Sequence, residues 1–235
     1  MQLVFNHITR MQAPRICIAG IDLQTHRHVR PTTPPTDLIT RTLLREELGP
    51  IAMGALVDVG LVTPEPSPPE SEDHAFQTAN VEYVRDLNDQ EFLDLLDNVR
   101  DKDIQTAFGP ELKNVGHGYA VDAGSGKRSL AVVRADEPPT LIVDRWGKLR
   151  LHVRDLDPAP NLSVADVRFC EGDHKTIRKE VVKDVNERIE DGVGLYLMLG
   201  LPHAKQMPWD DRERHWLQLN GLVLDDRPVG RCALI

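Results

Sequence analysis

PRICIAGIDLQTHRHVRP, residues 14–31, is the stretch that decides the fold class of this chain. Ile16, Ile18 and Ile21 lie in a β-branched run, and Asp22–His26 supplies turn-prone residues before His26–Arg30. The pattern predicts a strand, a tight connection and a second strand. Pro31, Pro34 and Pro35 then stop any regular ladder. Working outward, Asp37–Glu47 has helical character with Leu38, Leu43 and Leu44 on one side. GALVDVGLV, residues 54–62, predicts a strand with Ala55, Val57 and Val59 on one face and Leu56, Asp58 and Gly60 on the other. It runs into TPEPSPPESED, a loop of prolines, serines and acids that is expected to be exposed.

Asn88–Asp103 reads as the clearest helix. Asn88 is placed as N-cap with Glu91 three residues on, the capping-box spacing. Phe92, Leu95, Leu96 and Val99 recur at helical intervals beneath Glu91, Asp94, Asp97 and Asp101, which define a solvated acidic face. Glycine-rich Gly109–Gly126 marks a junction between halves. Beyond it, Leu130–Arg134, Leu141–Trp146, Leu149–Arg154 and Leu162–Phe169 are short β-prone runs separated by turn signals. Lys175–Asp191 reads as a second helix on Ile177, Val181, Val182, Val185 and Ile189, followed by strands at Gly192–Leu201 and His215–Leu224. The tail Asp225–Ile235 carries no pattern. Each half thus shows several short strands and one helix, which a five-stranded Greek-key barrel satisfies, as do other small α+β arrangements.

With 235 residues, the chain holds one large domain or two small ones. Its apolar and charged fractions, 40% and 28%, are those of a globular protein. No apolar run is long enough to span a bilayer, and Met1–Met11 lacks the layout of a secretory signal, so a membrane role is not expected. The cysteines, Cys17, Cys170 and Cys232, are single and widely spaced, which suits a reducing cytoplasm and excludes a paired-cysteine metal clip. The net charge of −9 argues against a uniformly basic nucleic-acid coat. Its distribution is uneven: residues 1–115 carry a net −8 and residues 116–235 a net −1. Lys127–Arg154 holds seven basic residues and three acidic ones, whereas Glu65–Glu111 holds thirteen acids and three bases.

RICIAGIDLQTHRHVRP resembles the opening of the bacterial dual OB domain-containing family, through Cys17, Ala19, Gly20, Ile21, Asp22, Val29, Arg30 and Pro31. GALVDVGLVTPEP, GLYLMLGLP and HWLQLNGLVL are similar to later landmarks of that family, in family order across residues 14–224. Where family members carry an aromatic residue before the Arg-Pro pair, this chain has His28. The resemblance implies a mainly β fold with helices (α+β): two consecutive OB-like small β-barrels, residues 1–115 with the acidic helix and 116–235 with the basic strands. It also implies nucleic-acid binding within a prokaryotic genome-defence system, an inference that rests on fold.

Four motifs bear on chemistry. GSGK at 124–127 lacks the earlier glycine and the Ser/Thr after lysine that a phosphate-binding P-loop needs, since Val121 and Arg128 stand there. A basic inter-strand turn is expected instead. His26 and His28 would share one face of a strand, but nothing elsewhere supplies the remaining ligands of a zinc site. His203 and His215 are isolated. No nucleophile arrangement and no converging carboxylates are evident, so no enzyme activity, metal or cofactor is expected.

The basic window carries the functional signal. Arg145, Trp146, Lys148, Arg150, His152 and Arg154 combine cations with a stacking ring, and Lys127 and Arg128 add to them. OB barrels bind single strands with those two chemistries. Arg150, His152 and Arg154 would share one strand face, about 6.6–7 Å apart. The alternative is a solvated face with Trp146 closing the core. Two functions follow: a non-enzymatic protein binding single-stranded or structured nucleic acid, or an adaptor docking a protein through the acidic helix and the Thr63–His74 loop.

Overall fold

The computed structural model describes residues 1–34, 36–116 and 118–228; Pro35, Cys232 and the end of the patternless tail lie outside them. Strands dominate. The first sheet contains β1 (Gln2–Arg10), β2 (Ile16–Asp22), β3 (His28–Thr32), β4 (Ala55–Asp58), β5 (Thr63–Pro64), β6 (Asp73–Ala75) and β7 (Glu82–Asp86). Their order is β5-β6-β3-β2-β1-β4-β7, antiparallel except for β3 beside β6. The predicted strand–turn–strand is β2 and β3. His26, however, sits in the turn with φ 55°, so it does not share a strand face with His28.

β1 escaped the sequence reading. It is buried on both sides from Leu3 to Ile8, so it shows no alternation. A bulge between Phe5 and His7 switches its parity. Leu3, Phe5 and Ile8 therefore all reach the first core, and His7 and Thr9 pair with Ala19 and Cys17 on the outer face. The helix expected over 37–47 is two 3-10 turns, Arg41–Leu43 and Arg45–Glu47, with Leu44 buried between them and Leu38 exposed.

α1 (Asp89–Val99) starts at Asn88 with both capping-box bonds formed. It stops before the expected end, and Asp103 caps a separate α2 (Ile104–Phe108). β8 (Lys113–Asn114) and β9 (Tyr119–Asp122) follow. The second large sheet takes β10 (Leu130–Arg134), β11 (Thr140–Val143), β12 (Leu149–His152) and β13 (Asn161–Val164). α3 (Lys179–Glu190) and β14 (Leu195–Gly200) come next. β15 (Lys205–Gln206), β16 (Glu213–Trp216) and β17 (Gln218–Leu224) complete the chain order. The order in this sheet is β10-β14-β17-β13-β12-β11, with β13 parallel to β17. A separate small sheet has the order β15-β16-β9-β8. The Gly124–Lys127 segment is the turn between β9 and β10.

Three apolar clusters fill the structure. One packs each large sheet, and the third joins them: Phe92, Leu95 and Leu96 of α1 lie between Val4 and Leu56 on one side and Tyr196 and Val223 on the other. The acidic helix is therefore a wedge between the halves. Its acids are engaged within the chain as well: Asp97 accepts from the Tyr196 hydroxyl at 2.9 Å and from Arg100, Glu91 pairs with Arg85, and Asp101 with Arg128.

The acidic loop corrects a second expectation. Residues 63–68 are exposed, but Glu70, Glu72 and Asp73 are buried. Glu72 accepts from the backbone amides of Ser129 and Leu130 at 3.0 and 3.2 Å and from the Ser129 hydroxyl at 2.9 Å. Burial pushes its carboxyl up, and these bonds oppose the rise. Glu70 meets His203 at 3.0 Å and His215 at 3.4 Å, so the histidines that looked isolated converge on one carboxylate. The loop is a buckle between the halves. No helix among the described residues is long and apolar enough to cross a membrane.

Candidate functional site

The β11–β12 hairpin gathers most of the residues expected from the basic window. Its tip, Asp144–Lys148, is tied by the Asp144 carboxylate, which accepts from the backbone amides of Trp146 and Lys148, both at 2.9 Å. Gly147 supplies the φ of 72° that the tight turn requires. The same carboxylate takes Arg150 Nε at 3.0 Å. Burial alone would raise Asp144, but bonds from Lys148, Arg150 and Trp146 outweigh it and hold the carboxyl below its ordinary value.

Trp146 does not close the core. It is 67% exposed at the hairpin tip, with the Arg145 guanidinium 4.1 Å from its ring centre. That is cation–π contact, and it leaves the other face of the ring to solvent. Along β12, Leu149 and Leu151 point into the core, while Arg150 and His152 face outward. The register sets Arg150 between Ile142 and Ser163, and His152 between Thr140 and Asn161. Arg150 Nη1 donates to Ser163 Oγ at 2.5 Å, and the His152 ring contacts Asn161 Oδ1 at 3.0 Å. Ile142, opposite Arg150, adds exposed apolar surface to this face, whereas Val143 pairs with Leu149 on the other face, beside α3. The result is an outward face with a ring at one end, fixed donors along it and the Ile142 side chain beside Arg150.

The other candidates sit elsewhere. β12 ends at His152, so Arg154 is exposed in the following loop and not in line with Arg150. Lys127 and Arg128 precede β10. Arg128 pairs with Asp101 and donates to the Ala107 carbonyl at 2.6 Å, fastening α1 and α2 to the second sheet. Lys127 is exposed, and its carbonyl accepts from Ser71.

A second surface was not legible in the sequence. A cleft of about 510 Å³ lies between the halves. Its floor is the outer face of β1–β3: His7, Thr9, Cys17, Ala19, Arg30 and Thr32. Its wall is Leu201–Lys205 with Gln218 and Asn220. Arg30 Nε donates to Asp73 at 2.6 Å, and both residues are buried. His7 stands edge-on to His28, ring centres 5.3 Å apart. Burial, then the neighbouring His28 and Arg30 charges, drive His7 well below the ordinary histidine range. Burial and Arg128 lower His28 to about 4. Both rings are neutral at pH 7. Their pattern left little trace, because the two histidines come from strands 21 positions apart that only the fold sets together.

Among the described residues no group of three or more His, Cys, Asp or Glu side chains is placed to hold a metal ion. A family model described as a dual OB-containing domain matches residues 9–221. No curated protein matches the chain.

Proposed function

We propose, from the premise that this chain belongs to the dual OB-containing domain family, that it binds single-stranded nucleic acid on the outer face of β11–β13 without catalysing a reaction. The strand orders support the barrel part of this reading. In the second sheet, β10 and β11 are consecutive in the chain yet stand at opposite ends of the order. Taken as one interrupted strand, they close a five-stranded barrel with α3 between its third and fourth strands. In the first sheet, β6 and β7 play the equivalent part as an interrupted fifth strand. OB barrels bind oligonucleotides on strands 2 and 3 and on the loop between strands 1 and 2. In the second half these are β12, β13 and the Asp144–Lys148 tip.

One observation carries the proposal: Trp146, solvent-exposed and flanked by Arg145, stands at the tip of a hairpin whose outer face presents Arg150 and His152. A base stacks on the ring, and the phosphates follow the cations. Arg150 is already paired with Asp144, so it contributes a positioned donor more than a free charge. The accessory role in genome defence belongs to the same proposal and rests on the family resemblance.

Fluorescence anisotropy with a labelled single-stranded oligonucleotide tests it. Binding is expected to weaken as salt rises. Trp146→Ala is expected to weaken it about tenfold, in line with about 1–3 kcal/mol per stacked base, with the thermal midpoint unchanged. Undiminished binding by Trp146→Ala, or none at low salt, overturns the reading. Cleavage of the strand with added magnesium or manganese overturns its non-enzymatic part.

A further inference from the structure

The cleft between the halves is built from donors that lack acceptors. Arg30 Nη2, His7 Nε2 and Thr32 Oγ1, on three residues that line the cleft, are buried and have no hydrogen-bond partner. Arg30 is 6% exposed and His7 1%. The state of the His7 ring follows from its neighbours. Asn220 Oδ1 accepts from Gln218 at 2.8 Å, which leaves Asn220 Nδ2 to donate to His7 Nδ1 at 3.4 Å. The proton of the neutral ring then sits on Nε2, so that atom is a donor as well. Buried donors without acceptors are costly, and they persist where a ligand satisfies them.

The charge of the lining points the same way. In a chain of net charge −9, the cleft is lined by Arg10, Arg15, Arg30 and Lys205, and among its described lining residues there is no Asp or Glu. Asp73 offsets Arg30 from outside the lining. Arg10 bonds only neutral acceptors, the carbonyls of His174 and Val164 at 2.6 and 3.1 Å. Arg15 and Lys205 are exposed at the rim. Pro31, Pro34, Leu38, Leu201 and Pro202 supply apolar walls. The volume lies inside the range of small-molecule sites.

We propose that this cleft binds a phosphate-bearing ligand of about mononucleotide size. The phosphate meets the cations at Arg15, Arg30 and Lys205, and the organic part lies against the proline and leucine walls, with His7 Nε2 donating to it. With Asp73 offsetting one of the four cationic side chains, the remaining excess of positive charge suits a doubly charged phosphate better than a carboxylate. A guanidinium fork also presents paired donors to phosphate oxygens. Two sources share this chemistry: a free mononucleotide, and the phosphorylated end of a strand. The proposal does not rest on the stacking face of β11–β13.

Calorimetric titration of the full chain with uridine 5′-monophosphate, uridine and inorganic phosphate tests it, beside hexanucleotides with and without a 5′-phosphate. The mononucleotide is expected to bind at least tenfold tighter than uridine or phosphate alone. The rim double variant Arg15→Glu/Lys205→Glu is expected to weaken it at least tenfold while keeping the wild-type circular dichroism and thermal midpoint. Thr32→Val, which keeps the shape and removes one donor, is expected to weaken it severalfold. Absence of binding at millimolar mononucleotide, equal binding of phosphate alone, or undiminished binding by the rim variant overturns the proposal. Tighter binding of the 5′-phosphorylated hexamer than of the mononucleotide assigns the strand end as the source, and the reverse order assigns the free nucleotide.

Discussion

The outer faces of β1–β3 and of β11–β13 each belong to three successive antiparallel strands, and they have met opposite fates. The first is roofed by residues 201–205 and by β17, so its polar groups, His7, Arg30 and Thr32, are buried. The second is open, and Arg150 and His152 are held in view by hydrogen bonds to their neighbours. The same strand arrangement thus yields an enclosed cleft in one half and an extended platform in the other. On the two proposals made above, the roofed face takes a compact ligand and the open face a long one. The difference originates in what covers each face, not in the strands themselves.

Removing what supports the roofed face is expected to have the largest effect. Asp73→Ala leaves the Arg30 charge buried and unpaired, at an expected cost of about 3–5 kcal/mol, read as a fall in the urea midpoint. A loss under about 1 kcal/mol would mean that water reaches Arg30 and that the cleft is not enclosed. Glu72→Ala comes next. It strands the amides of Ser129 and Leu130 on the opposite half, an expected loss of about 1–3 kcal/mol. If the halves separate as units, the same variant broadens the transition into two steps. Neither change touches the β11–β12 hairpin, so oligonucleotide affinity is expected to hold wherever the protein is folded.

The smallest effect separates the faces by pH. His7 and His28 have folded pKa values below the ordinary 6.5. As pH falls through 6.5, the unfolded chain takes up protons that the folded chain refuses, so stability is expected to decline. The decline continues to about 4, where His28 itself protonates. Between pH 6.5 and 5 most carboxylates stay ionised, and Glu72, raised by burial, acts against the histidines. The change in the slope of the urea midpoint on substituting His28, not the slope itself, therefore reads this effect. His28→Gln is expected to flatten it. A slope unchanged by this substitution would place His28 in solvent.

Legibility in the sequence followed the range of the interaction. The capping box at Asn88 and Glu91 and the alternation of Leu149–His152 are local, and both were read correctly. β1 was missed because both of its sides are covered, one by the first core and the other by the third cluster at Val4 and the cleft at His7 and Thr9, and because its bulge breaks the alternation. The loop around Glu70–Asp73 was misread for a related reason. Prolines and acids signal exposure on average, but these carboxylates meet their donors at Ser129, Leu130, His203 and Arg30, and three of those lie 57 or more residues away. Trp146 was identified as a site residue, yet whether its ring faced the core or the solvent depended on the turn that Asp144 ties.

By itself, then, the sequence determined the strand-rich class, the Asn88 helix cap, the family and which residues make up the basic hairpin. All of these follow from patterns within a few residues or from the order of short motifs. Only the tertiary structure decided which half-surface stays open, where the acids of the first half go, and that His7 and Arg30 share a cleft. Those outcomes depend on how two separately patterned halves pack, and the free energy of that packing comes from contacts that no local period records.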